Sequence, residues 1–288
     1  MDSPFLSDVS DGNVTDAATG TSRRTFLTRT ATGAAAGGVL WVAPSVLTMD
    51  AAAAASCGTG THTLSWTDAA LPTGTLPNSG TRVPTGSTVT TPAMGGVTAT
   101  IDWTDTSGVS TDGGTGSLGS SFSIINQQIG GNTGKSWYMQ MHATQTTQAL
   151  TTKFTFKKSA ALIGLVGFAF TMYDIDRVTG ANTLWTDHIV VTGTRNGVAV
   201  PLTLTKPGVG ANSPVINPVS PATANVGDAV GGGDLNISPT VGDGNVTFTF
   251  TGAVDTVLIT YNNPEANHLP STPFQFTGIG NLTWTTCV

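Results

Sequence analysis

The sequence predicts an all-β chain, folded as a jelly-roll-like antiparallel β-sandwich of roughly ten to twelve strands. Three observations carry that expectation. Short runs of alternating apolar and polar residues, bounded by Gly, Pro, Asn and Asp, fill the chain from Thr61 onward. Thr, Ser, Gly and Val dominate these runs, whereas Glu265 is the only glutamate in the chain. Helical surfaces use Glu, Lys, Gln and Arg, so this usage favours strands and turns. No stretch carries a convincing helical period.

The elements follow in order. Thr61–Trp66 is a first short strand. Gly96–Trp103 alternates Val97, Ala99, Ile101 and Trp103 on one face with Thr98, Thr100 and Asp102 on the other. Phe122–Ile129, Ser136–Ala143 and Leu150–Phe156 come next, the last with Lys153, Thr155 and Lys157 facing solvent. Leu162–Ile175 is the most apolar run, and Gly164, Gly167 and the alternation Phe168, Phe170, Met172 read as strand. His188–Thr192 and Ala199–Thr205 flank Arg195-Asn196-Gly197, and Asn-Gly is the strongest short hairpin signal. Val246–Phe250 and Val254–Tyr261 read as a second hairpin turning at Thr251-Gly252-Ala253. Phe274–Phe276 and Leu282–Thr286 finish the chain. Ser107–Ser121 and Pro207–Gly233 read as long loops. Trp-Thr-Asp recurs at Trp66, Trp103 and Trp185, but at unequal gaps, so no repeat is implied.

Upstream of the strands, Ser22-Arg23-Arg24-Thr25-Phe26-Leu27 matches the bacterial twin-arginine export pattern. Arg23 and Arg24 precede a moderately apolar run from Ala31 to Met49, and Ala51–Ala55 offers Ala-x-Ala cleavage sites. A membrane helix is the competing reading. A span needs about 20 strongly apolar residues, and Gly33, Gly37, Gly38, Pro44 and Thr48 dilute this one. Cleavage after Ala55 leaves one domain, residues 56–288, and residues 1–55 as signal peptide. The expected location is secreted or cell-surface associated, with the twin-arginine translocase as partner during export and no stable membrane span in the mature chain.

A net charge of −6 without clustered Lys or Arg excludes nucleic acid, whose phosphates demand such clusters. Cys57 and Cys287 are the only cysteines. In an oxidising compartment a disulfide between them is the economical reading. Both staying free, or lipid on Cys57 after the poor lipobox Ala54-Ala55-Ser56, are the alternatives.

One cluster breaks the local pattern. Tyr173-Asp174-Ile175-Asp176 places two carboxylates at the end of the most apolar run, and Asp187 opens the next strand, where an antiparallel return brings it alongside. Like charges so placed repel unless a cation neutralises them or they reach water. Oxygen ligands of this type suit Ca²⁺, which takes 6–8 of them. Solvated turn carboxylates are the alternative. The stretch Phe168–Asp176, followed by Trp185-Thr186-Asp187-His188-Ile189-Val190-Val191-Thr192-Gly193, resembles a jelly-roll β-sandwich module of bacterial secreted and surface proteins that carries an Asp-Ile-Asp motif. Leu64-Ser65-Trp66 and Gly278–Trp284 are similar to that module's ends. The resemblance implies extracellular adhesion, wall association or carbohydrate binding, often with a structural calcium, through a cell-wall glycan, extracellular glycan or surface protein. It does not imply an enzyme.

No catalytic constellation competes. Gly130-Gly131-Asn132-Thr133-Gly134-Lys135-Ser136 lacks the first glycine of a phosphate-binding loop, Ile129 standing in its place, and reads as a hairpin loop. There is no Gly-x-Ser-x-Gly elbow and no His-Glu-x-x-His zinc helix. His62, His142, His188 and His268 stand apart. Trp66, Trp103 and Trp284 lie within apolar alternation and read as core. Trp137 and Tyr138, beside the Gly-rich loop, and Trp185, beside the acidic motif, are the candidates for an exposed ligand-binding edge. The expected function is a binding or structural, adhesion-like role. A carbohydrate-binding module is the second reading and a secreted hydrolase the weakest.

Overall fold

The structure is a computed structural model. It describes residues 57–58, 60–66, 88–91, 93–105, 122–125, 128–141, 146–179, 184–207, 213–217, 224–232, 238, 240–265 and 275–288. The export segment with Arg23 and Arg24, the loop 107–121, His142 and His268 lie outside these residues. The described chain is all-β, as the composition predicts, and its strands form two principal antiparallel sheets.

The nine-stranded sheet runs, in spatial order, through Thr88–Thr90, Thr98–Asp105, Ala149–Lys158, Thr256–Asn262, His188–Arg195, Val226–Val230 and Val215–Asn217. The eight-stranded sheet carries Phe122–Ile125, Ser136–Met141, Gln275–Ile279, Ala169–Tyr173, Val246–Phe250 and Leu202–Thr205. Leu282–Trp284, with His62–Leu64 beyond it, pairs further along Ala169–Tyr173. Period-2 alternation sends every second side chain inward, and both sheets contribute to one apolar core. Trp103 lies 5.2 Å and Trp66 5.7 Å from Trp137, ring centre to ring centre. Phe156 meets Phe168 at 4.9 Å, and Phe170 stacks on Phe248 at 5.4 Å. Outward positions are largely threonine. Thr90, Thr100, Thr155, Thr256 and Thr194 form one rank across five strands, where β-branched residues fit the pleat without adding charge.

The expected Asn-Gly hairpin is present. Asn196 and Gly197 both take positive φ and Arg195 pairs with Val198, the pattern of a two-residue type I′ turn. Ile129 and Asn132 exchange both backbone hydrogen bonds, so the Gly130–Gly131 segment is a tight turn.

Three expectations need correcting. Leu162–Ile175 is not one strand. It breaks into Ala161–Leu162, Leu165–Val166 and Ala169–Tyr173, which pair with three different partners. The breaks fall at Gly164 and Gly167, and Gly167 takes a φ of +65° that other residues resist. Val246–Phe250 and Thr256–Asn262 are not a hairpin. They belong to opposite sheets, joined by a crossover in which Val254 bonds Leu165. The stretch 207–233 holds two strands, Val215–Asn217 and Val226–Val230, which extend one edge of the nine-stranded sheet.

Cys57 and Cys287 form a disulfide with Cα atoms 5.7 Å apart. It joins positions 230 residues apart in sequence, and in the chain-entropy model so long a loop contributes about 5 kcal/mol.

Trp137 is fully buried and donates its indole N–H to Thr152 Oγ1. Trp137→Ala is expected to cost about 3–5 kcal/mol in denaturant unfolding, whereas Lys153→Ala, at an exposed position of the strand that carries Thr152, stays within about 0.5 kcal/mol.

Candidate functional site: a buried carboxylate network

The strand Ala169–Tyr173 ends where the motif begins. Asp174 adopts a φ of +64°, a left-handed conformation that Asp tolerates better than most residues. This turn destroys the alternation. Asp174, Ile175 and Asp176 are all buried rather than two on one face and one on the other, and Ile175 donates its N–H to the Gly244 carbonyl.

The antiparallel return expected from sequence does bring Asp187 alongside. The ladder Arg177–Thr179 against Leu184–Thr186 closes the excursion. At its base Asp187 N–H donates to the Asp176 carbonyl at 2.9 Å, and Asp176 N–H donates to Asp187 Oδ2 at 3.1 Å. Tyr261 donates its hydroxyl to Asp187 Oδ1 at 2.6 Å, and Trp185 donates its indole N–H to Asp176 Oδ1 at 3.1 Å. The Asp187 carbonyl accepts from Gly231 N–H at 2.8 Å. Gly231 packs so closely that a Cβ there would overlap the Asp176 carbonyl, so this position admits only glycine.

The three carboxyls therefore differ in kind. Asp187 has both oxygens committed to donors of the fold. Asp176 has one held by Trp185. Asp174 Oδ1 is buried and meets no donor. Burial, and then repulsion from Asp176, pushes the Asp174 carboxyl up to about 8. Burial and Asp176 also push Asp187 well above the ordinary carboxyl range, opposed by the Tyr261 hydroxyl and the Asp176 N–H. Burial and then Asp187 raise Tyr261. Burial and then Asp174 raise Tyr138. Among the described residues no three His, Cys, Asp or Glu side chains are arranged to hold one metal ion. The structure brings Asp174, Asp176 and Asp187 into one corner and gives their carboxyls different partners. Asp187 anchors the corner, and Asp174 carries the oxygen that meets no donor.

The exposed aromatic edge expected at Trp137, Tyr138 and Trp185 is also corrected, because all three are buried at 0%, 4% and 8% exposure. Trp137 is core. Tyr138 lies on the outer face of its sheet yet is covered by Ile129, with its ring 5.3 Å from Phe276. Trp185 serves the carboxylate network. Tyr261 was invisible as a site residue, since its alternation reads only as core. Glu265 accepts from Thr186 Oγ1 at 2.9 Å and pairs with Arg177 at 3.3 Å, covering the same corner.

Compared with known protein families, curated proteins and solved structures, the chain matches none.

Linkage sets the pH response of this corner. The Asp174 carboxyl keeps its proton in the fold up to about pH 8 but ionises near pH 4 once unfolded, so the unfolded chain binds fewer protons in between. Stability of the metal-free protein is expected to fall as pH rises from about 4 to about 8, by on the order of a few kcal/mol, and then to level off. Asp174→Asn should make that slope shallower in thermal melts taken across the range, leaving the share that the raised Asp187 carboxyl contributes.

Proposed function

We propose that this chain is a secreted or cell-surface β-sandwich that acts by binding or building, in an adhesion-like role, with its Asp174–Asp176 corner stabilised by calcium. The observation that carries the reading is the buried Asp174 oxygen without a donor, beside a second carboxylate, at the end of a rigid sandwich. Burying an ionised carboxyl without a partner costs several kcal/mol. A hard divalent cation supplies the missing charge and accepts oxygen ligands without regard to their direction. Asp174 and Asp176 are the residues that would hold it. Asp187, fixed by Tyr261, would keep their backbone in place. The twin-arginine pattern and the Cys57–Cys287 disulfide fit an oxidising, extracytoplasmic setting. The resemblance to jelly-roll modules of bacterial surface proteins supports the same class and points to a glycan or a surface protein as partner.

Millimolar calcium is expected to raise the melting temperature of the metal-free protein at pH 8 by several degrees, as a ligand that binds only the native state must. A chelator should reverse the gain, and Asp174→Ala should abolish the response. An unchanged melting curve with and without chelator would remove calcium from this proposal.

Carbohydrate binding is the second reading, favoured by one observation. Tyr173 and Phe276 lie half-buried on the outer face of the eight-stranded sheet, packed against Tyr138 and Ile129, and partly exposed rings stack on sugars. Soluble glycans of the cell-wall type should then perturb aromatic fluorescence in the wild type and not in Phe276→Ala. Silence across a glycan panel would retire this reading and leave a protein partner.

A further inference from the structure

The Gly130–Gly131 turn, which in sequence mimics a phosphate-binding loop, packs against the acidic corner. Ile129 and Asn132 close it through both backbone bonds, at 3.1 and 2.9 Å. Gly130 and Gly131 take φ of +54° and +74°, a region that glycine enters without strain. The tip of the turn meets the loop that leads into Val246–Phe250, where a Cβ on Gly131 would come within 3.4 Å of the Thr240 carbonyl. The Gly130 carbonyl accepts Asn245 Nδ2 at 2.8 Å, and Asn245 N–H donates to the Gly242 carbonyl at 3.0 Å.

The bond to Gly130 fixes which way the Asn245 amide points. Nδ2 is committed to the turn, and Oδ1 is left buried with no donor. Asp174 Oδ1 is in the same condition, and the two residues occupy one place in the fold. Val246 pairs with Met172, and Ile175 N–H donates to the Gly244 carbonyl at 2.9 Å. These two contacts bracket Asp174 on one segment and Asn245 on the other. A Cβ on Gly130 would overlap Asn245 Oδ1 and come within 2.9 Å of Tyr173 Cβ. The amide oxygen and the start of the acidic motif therefore border one small space, which a glycine at position 130 leaves open. The charge of Asp174 also acts on Tyr138, which packs against Ile129 of the same turn.

Buried acceptors without donors are unfavourable, and a cation satisfies them. A carboxylate beside a neutral Asn carbonyl is the mixed oxygen chemistry that Ca²⁺ takes. The neutral ligand suits a corner that already crowds three carboxyls, because it adds coordination without adding repulsion. We propose that Asn245 Oδ1 is a further ligand of the calcium held by Asp174 and Asp176, with the Gly130–Gly131 turn as the support that orients its amide. This rests on the calcium reading above and extends it. The cation would then tie the end of Ala169–Tyr173 to the start of Val246–Phe250, with the turn braced against both.

The test uses the whole metal-free chain, with calcium and with Tb³⁺, a hard cation that replaces calcium and is excited through neighbouring aromatic rings such as Tyr138 and Tyr173. Wild-type protein should show tyrosine-sensitised Tb³⁺ emission that calcium competes away, and the emission lifetimes in H₂O and D₂O count the waters on the ion. Asn245→Leu removes the oxygen at similar volume. It should weaken calcium binding by on the order of tenfold, shrink the calcium-induced rise in melting temperature, and add one water to bound Tb³⁺. In the wild type, the side-chain carbonyl carbon resonance of Asn245 should move on saturation with calcium. Wild-type affinity and water count in Asn245→Leu would overturn the assignment and leave calcium at Asp174 and Asp176. An unmoved Asn245 resonance in calcium-loaded wild type would overturn it equally, whether or not the leucine variant folds. A wild-type chain silent to both cations would remove the calcium reading itself, and this assignment with it.

Discussion

Large aromatic rings buried between two antiparallel sheets set the terms for the rest of this molecule. Trp66, Trp103 and Trp137 pack as tilted pairs in one part of the core, while Phe156, Phe168, Phe170, Phe248 and Phe250 fill another. Such rings cannot be buried by one sheet alone. Their dehydration supplies the driving force that offsets ordering so many short strands, and it holds those strands in one register. A slip of one residue would send every ring to the solvent face.

The carboxylate corner is a consequence of that register. Tyr261 projects inward because it alternates with Val257 and Ile259, and this places its hydroxyl within reach of Asp187. The same packing buries Asp174 Oδ1 without a donor. An acidic group in that position stores free energy that a proton or a cation can release, which couples the protein's stability to the pH and cations around it.

Around the disulfide, Arg195 bonds both the Val288 carbonyl and the buried Asp255, and these bonds address a different problem. Residues far apart in sequence must meet, and chain entropy opposes that meeting until other contacts have been made. Hydrogen bonds and an ion pair make such contacts beside the disulfide here.

Much of this was legible in the sequence because it is local. Alternation in Gly96–Trp103 marked its inward face correctly, Asn196-Gly197 specified its own turn through positive φ, and two lone cysteines made one disulfide the economical reading. The acidic motif announced itself by interrupting an apolar run, and its spacing to Asp187 suited an antiparallel return. What the sequence could not decide is which strand neighbours which. Val246–Phe250 followed by Thr256–Asn262 looks like a hairpin, yet a turn of that length serves equally to cross between sheets, and the core's shape selects the crossing. Leu162–Ile175 is apolar throughout because its pieces face different neighbours, a distinction alternation does not encode. Trp137, Tyr138 and Trp185 lie beside loops in sequence, but burial depends on what packs over a residue, and that comes from distant segments. The division follows from physics: dihedral preference and side-chain period act over a few residues, while sheet partners, desolvation and the ownership of each carboxylate oxygen exist only once the chain has closed on itself.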